Sequence, residues 1–348
     1  MKTEEYLKNL SMEHAVSGHE KGFADFLASI FKEYCDEVVI DRFYNVTGIK
    51  KGDMGSGKRI MVTAHSDEIG FLVNRIDERG FIMFTPVGGV DPKILLAQEV
   101  VIHGKKEVNG VIGAKPPHLL KPEDAKKAVN VKDLSIDTGM SVDEIKSIVS
   151  IGDIITFRPV PFELKNGRVS SKSMDNRCGI TVLINAMKRI ARIRRQADTY
   201  FVATVQEEFI LAGAVTAAYN IRPDVAIVID ACHGDMPDAP KDDVYKLGKG
   251  PAIGKGPNLH RGLTDRLIKI SKDEGIPYQI DIEPGNTGTE AWGIQVSRSG
   301  IPTVLISVPL RYMHTPVETL QIQDIENAGR LVSVFIKEYN GETEAIGC

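Results

Sequence analysis

The sequence predicts an α/β fold: a mixed, mostly parallel sheet sandwiched by helices, with a small β-rich domain inserted into it. Three observations predict this. Apolar runs of strand length alternate with amphipathic helical stretches toward both ends of the 348-residue chain. Between about Gly70 and Phe157 the alternation gives way to short β-like runs punctuated by Gly, Pro and Asp. Acidic and histidine residues recur just past the ends of the expected strands, where open α/β sheets place their ligands.

In chain order, residues 19–34 carry Phe23, Phe26, Leu27, Ile30 and Phe31 at helical spacing. Residues 37–40 and 59–64 read as strands. The inserted region offers short β-like runs at 71–76, 81–85, 99–103, 108–112 and 153–157, with an acidic-basic stretch at 121–132 between them. After Gly167 the alternation returns. Residues 180–190 place Ile180, Leu183, Ile184, Met187 and Ile190 on one stripe. Strands are expected at 201–205, 225–229, 278–282 and 303–308, and helices at 211–219, 263–273 and 325–339. The expected division is one α/β domain of residues 1–68 and 160–348, interrupted by a β-rich domain of residues 69–159.

Composition narrows the function classes. The formal net charge of −4 gives no basic field to recruit nucleic acid or an anionic membrane. No stretch approaches the ~18 uncharged apolar residues of a membrane span. The first residues, Met1 to Glu5, are polar and have no signal-peptide character. The four cysteines form no CxxC pair or dense framework, so a reducing cytoplasmic location is expected. Cys35, Cys178 and Cys348 read as small buried hydrophobes or part of a frayed end.

The chemistry-bearing residues gather at strand ends. The 59–64 strand runs into His65-Ser66-Asp67-Glu68, and the 201–205 strand into Gln206-Glu207-Glu208. The 225–229 strand runs into Asp230, and the 303–308 strand reaches His314 through a short loop. Ser173-Met174-Asp175-Asn176-Arg177 precedes the 180–190 helix. Each is weak alone: a strand-end His is usually hydrogen-bonded structure, and a Glu-Glu pair usually a solvated surface. Together they supply two imidazoles and several carboxylates from different elements, a donor set that suits zinc. Two ions roughly 3.5–4 Å apart could share a bridging carboxylate and activate a water, provided one further acid stays free to move protons. His14, His19, His103, His118 and His260 lack this placement and are read as ordinary histidines.

Four runs carry a family resemblance: 64–70 (AHSDEIG), 172–177 (KSMDNR), 205–208 (VQEE) and 311–318 (RYMHTPVE). Residues 88–92 (GGVDP) and 254–257 (GKGP) match as well. The chain resembles, over essentially its whole length, metallopeptidase family forty-two: the tetrahedral, glutamyl and deblocking aminopeptidases. The resemblance implies a di-metal aminopeptidase that removes N-terminal residues from short peptides through a hydroxide shared by two divalent ions. Zinc is the expected metal, and cobalt or manganese would tolerate the same donors. Carried over residue by residue, Asp175 bridges the ions, His65 and Asp230 complete one site, and Glu208 and His314 the other. Glu207 is the general base, and Asp67 orients the His65 ring. Related di-metal peptidases often carry a cis peptide after the bridging acid, which implies one at Asp175-Asn176. The inserted domain is expected to mediate a homo-oligomer, a dodecamer or else a dimer, with Ile94, Leu95 and Leu96 as candidate contacts.

Two departures stand out. Where the family commonly has Gly-Thr-Asp, this chain has Gly288-Thr289-Glu290, an acid that would shift selectivity if it touched substrate; Cys232 and His233 follow Asp230 closely and could crowd or supplement the site, but read as packing beside it. Two competing functions fit the residues less well. An endoglucanase would need two carboxylates but no imidazoles. A non-catalytic assembly protein would have no reason to keep Glu207 and all five expected ligands.

Overall fold

The computed structural model describes residues 1–53, 55–119 and 129–341. Cys348 and most of the 121–132 stretch lie outside them. Helices α1 (Thr3–Met12) and α2 (Lys21–Phe31) lead into strands β1 (Glu37–Ile40), β2 (Val46–Lys50) and β3 (Arg59–His65). The inserted segment contains β4 (Gly70–Ile76), β5 (Ile82–Val87), β6 (Glu99–His103), β7 (Glu107–Gly113), β8 (Ser135–Asp137), α3 (Val142–Ile148) and β9 (Ile154–Phe157). The chain returns through β10 (Phe162–Leu164), β11 (Arg168–Ser171), α4 (Met174–Ile190), β12 (Asp198–Thr204), α5 (Glu207–Ile210), α6 (Ala212–Ile221) and β13 (Val225–His233). It closes with β14 (Ala252–Lys255), α7 (Arg261–Asp273), β15 (Gln279–Ile282), α8 (Glu290–Gln295), β16 (Thr303–Arg311), β17 (Glu318–Gln321) and α9 (Ile322–Glu338).

The large sheet runs β1-β2-β12-β3-β13-β16-β17-β11-β10, with β14 and β15 branching from β16. Its centre, β12-β3-β13-β16, is parallel throughout. These strands are near-continuous apolar runs because both faces are covered. Alternation sends Ile60, Val62 and Ala64 of β3 into the larger core, which includes residues of α1, α2, α4, α7 and α9. Met61 goes to the opposite face, into a smaller core with residues of α6 and α8. Parallel registry aligns the strand ends: Thr204 sits beside His65, and Asp230 beside Ser307.

The inserted strands close into a barrel, β4-β5-β8-β7-β6-β9. Its core is separate from the sheet's, with Phe71 edge-on to Phe84 at 5.1 Å and to Phe157 at 5.4 Å. Leu95 is fully buried in that core, Ile94 packs at its margin, and Leu96 remains 42% exposed. Of the three candidate contacts, Leu95 is thus committed to the barrel itself.

The structure departs from the sequence reading at several edges. Helix α1 was not expected. Helix α4 begins at Met174 instead of residue 180, although Asp175 and Asn176 are not helical and the peptide bond between them is cis. Strands β13 and β16 run on to His233 and Arg311. Among the described residues, no helix is long and apolar enough to cross a membrane.

Candidate metal centre

Five expected ligands and Glu207 converge at the carboxyl end of the parallel strands. His65 is the last residue of β3 and 1% exposed. Its Nε2 lies 3.2 Å from Asp175 Oδ1, 3.8 Å from Asp230 Oδ1 and 4.0 Å from Glu207 Oε2. Across the cluster, His314 Nε2 lies 3.5 Å from Asp175 Oδ2 and 3.2 Å from Glu208 Oε1. Asp175 therefore turns one oxygen to each imidazole. Donor atoms of His65, Asp175 and Asp230 lie within 4.8 Å of one another, as do those of Asp175, Glu208 and His314. The two sets share Asp175.

Each donor is held from behind. His65 Nδ1 points at the Asp67 carbonyl, 3.2 Å away, and at the Asp67 carboxylate, 3.5 Å away, leaving Nε2 for the cluster. Asp67 is fully buried and accepts hydrogen bonds from the Glu207 and Glu208 amides at 2.9 and 3.1 Å, and from the Ser17 hydroxyl. It thus fixes the turn that presents both glutamates. His314 Nδ1 is 2.8 Å from the Gly89 carbonyl in the loop after β5, so the inserted segment orients this ring. A Cβ on Gly89 would stand 3.0 Å from that nitrogen, which explains the glycine. Asn176 donates from Nδ2 to the Ile229 carbonyl at 2.9 Å and to Asp230 Oδ1 at 3.3 Å. Gly179 lets α4 lie against β3: a Cβ there would stand 2.9 Å from that of Ala64.

Sequence reasoning gave Glu318 and Glu68 no role. Glu318, the first residue of β17, is 2% exposed and accepts the Asp175 amide at 3.0 Å and the His314 amide at 2.6 Å. One carboxylate thereby holds the backbone of two expected ligands. Glu68 forms a buried ion pair with Lys172 at 2.6 Å and accepts the Ser173 hydroxyl and the Ala15 amide. That pair ties the end of β3 to the chain entering α4. Both acids stood within matched runs. Their partners are backbone groups or residues distant in sequence, so spacing carried no signal for them.

The electrostatics fit a cation centre. Burial raises the carboxyl of Glu207 to about 9 against the pull of His65, with the charges of Asp230 and Glu208 adding to the rise. Burial also pushes Asp230 and Glu318 well above the carboxylate range, each further raised by the charge of Asp175. Burial would lower His314, but its hydrogen bonds to Asp175 and Glu208 outweigh that and raise it to about 11. Acids crowded in a buried site at mutual cost are what divalent ions relieve, and the donors are oxygen and imidazole nitrogen, as zinc prefers.

The cluster lies in a cleft of about 730 Å³. Cys232 and His233 line it, but Glu290 does not. Glu290 is fully buried and receives the Thr204 hydroxyl, so the acid that departs from the family pattern does not reach the cleft. His260 caps α7 by accepting the Leu263 amide at 3.2 Å, a structural use.

Comparisons with known proteins agree with this architecture. The family model for M42 glutamyl aminopeptidase matches residues 45–331. The lysyl aminopeptidase of Pyrococcus furiosus is 35% identical, over 96% of this chain and 96% of its own. Aminopeptidase APDkam598 of the archaeon Desulfurococcus kamchatkensis superposes with a TM-score of 0.91 at 38% identity, covering 97% of this chain and 95% of that one. The TET1 peptidase of Pyrococcus horikoshii, which can assemble into a tetrahedron or a large octahedral shell, superposes at 0.85 with 31% identity, covering 97% and 100%. With the family model spanning most of its length, the chain belongs to the M42 family of aminopeptidases.

Proposed function

We propose that this chain is a di-metal aminopeptidase that hydrolyses the first peptide bond of short peptides, with Glu207 as the general base. The observation that carries the reading is Asp175, which turns one oxygen toward the donor set of His65 and Asp230 and the other toward that of Glu208 and His314. Those five residues would hold two divalent ions, zinc first among them and cobalt or manganese on the same donors. When bound, such a pair supplies Lewis acidity toward the scissile carbonyl and brings the pKa of a water near neutrality.

The chain's own residues do the rest. Glu207 lies 4.0 Å from the inner histidine and is not needed to complete either donor set, so it is free to exchange protons. It accepts a proton from the attacking water and returns it to the leaving amine as the C–N bond breaks. Asp67 positions the base by accepting the Glu207 amide, and Glu318 and the Gly89 carbonyl position the ligands. We also propose a homo-oligomer. Exposed apolar side chains support this reading: Leu96, Phe162 and Val317 line one shallow surface hollow, and Ile151 on the barrel is 73% exposed.

Glu207→Gln tests the role assignment. The variant should keep both metals and lose about 10²–10⁴ in kcat, while Glu208→Ala should lower metal content. Chelation should abolish wild-type activity, and zinc, cobalt or manganese should restore it. A metal-loaded Glu207→Gln enzyme with near-wild-type turnover would remove Glu207 from the mechanism.

A further inference from the structure

The cleft extends beyond the proposed metal ligands along a wall that the hydrolytic chemistry leaves unused. Asp242, Asp243, Asp281 and Glu283 line it, and among the described residues no Lys or Arg does; its basic groups are the imidazoles of His65, His233 and His314. Among the described residues none of the four carboxylates has a Lys or Arg within ion-pair distance. Asp281 is built into its place: it is 7% exposed, and its Oδ1 accepts the Tyr245 hydroxyl at 2.6 Å. Among the described residues its other oxygen has no hydrogen-bond partner, and the residue lines the cleft. Glu283 follows two residues later, just past the end of β15, and lines the same cleft. Burial raises Asp281 against the Tyr245 hydrogen bond and the His233 imidazole, and burial together with the Asp281 charge raises Glu283 to about 7, so a cation in the cleft would relieve both acids.

Apolar surface lies along the same cleft. Ile282 is 64% and Trp292 is 40% exposed there. Apolar walls beside carboxylates match a side chain with a hydrocarbon stem and a positive tip. A glutamate or aspartate side chain would bring like charge to four carboxylates.

We infer that the cleft selects peptides whose N-terminal residue is lysine or arginine and rejects those beginning with glutamate or aspartate, with Asp281 and Glu283 as the specificity-determining pair. This rests on the aminopeptidase reading above and names its substrate class.

The test is a panel of Lys, Arg, Leu, Met and Glu aminoacyl-methylcoumarylamides hydrolysed by the full-length protein loaded in turn with zinc, cobalt and manganese. Lys and Arg should exceed Leu by about tenfold or more in kcat/KM, and Glu should be the poorest substrate. The variant Asp281→Asn/Glu283→Gln, in which the amide oxygen of residue 281 can still accept from Tyr245, should lower the Lys-to-Leu ratio about tenfold. Glu283→Gln alone, at a half-buried position that tolerates the swap, should lower it in the same direction. Preference for Leu, Met or Glu in the wild type would overturn the inference while leaving an aminopeptidase, as would ratios unchanged in both variants. Hydrolysis of no substrate with any metal would overturn the aminopeptidase reading and this one with it.

Discussion

Replacing Glu318 by glutamine separates a positioning role from a merely structural one. Both carboxylate oxygens accept backbone amides, Asp175 on one side and His314 on the other. Glutamine is isosteric but offers one acceptor and one donor, so one of those amides must face an N–H group in a fully buried site. An unsatisfied buried donor costs about 1–3 kcal/mol, which corresponds to roughly a five- to 150-fold change in an equilibrium constant. Part of that cost falls on the geometry of Asp175, which both donor sets share. Zinc affinity, measured by equilibrium against a zinc buffer series, should therefore weaken about 10–100-fold, the usual range when an outer partner of a ligand is lost. Activity at saturating zinc should recover much further than activity at limiting zinc. A thermal unfolding midpoint measured in parallel controls for general damage. Unchanged zinc affinity, with or without a lowered midpoint, would show that Glu318 does not position the centre.

Three further outcomes follow from particular contacts. His103 stacks on His14 with ring centroids 3.9 Å apart, and burial followed by the His14 charge lowers its pKa to about 4. A depressed histidine leaves the unfolded chain holding the extra proton between the folded value and ~6.5, so stability falls as pH drops through that window. After allowance for solvent reaching the ring, about 1–2 kcal/mol should be lost between pH 7 and 5; His103→Gln should flatten that slope in urea unfolding, and an unchanged slope would contradict the assignment. Gly89→Ala would place a methyl 3.0 Å from His314 Nδ1 and should weaken the binding of one zinc more than the other, read by stepwise metal titration. Light scattering should give a mass several times that of the 38.2 kDa chain, and an active monomer at micromolar concentration would exclude the oligomer.

The parallel core was legible because its strands bury both faces and so read as unbroken apolar runs, as in the IMVTA of β3 and the VAIVI of β13. Strands β2, β11 and β17 were not. Their sequences, VTGIK, RVSS and ETLQ, lack a strand pattern, and pairing with neighbours holds them in place. Helix α1 was missed because Tyr6, Leu7 and Leu10 form a narrow apolar face on a polar stretch. At the site, strand-end placement and motif order led to six residues that the fold gathers into one cluster. The supports were hidden: Glu318 acts through backbone amides, and the Gly89 carbonyl reaches His314 across 225 residues of sequence. The acidic wall was equally silent, because Asp242 and Asp281 are brought to one cleft only by the completed sheet.

The position of the insert follows from this arrangement. It leaves the sheet just after His65 and returns before Asp175, two expected ligands whose side chains lie 3.2 Å apart. A segment tethered at both ends beside the cluster has its loops within reach of it, and the loop after β5 uses that proximity to hold the His314 ring. The barrel's own core, around Phe71, is independent of the sheet's, so its outer surface can change without disturbing the fold. That freedom stops at the Gly88-Gly89 turn. A Cβ on Gly88 would press on Ile69 at 2.7 Å and touch the Cβ of Glu208 at 3.5 Å, and one on Gly89 would crowd His314. The insert thus divides into a surface outside both cores and a turn that packs against the His314 ring, and if the proposed metal centre holds, replacing the barrel while keeping activity would require keeping that turn.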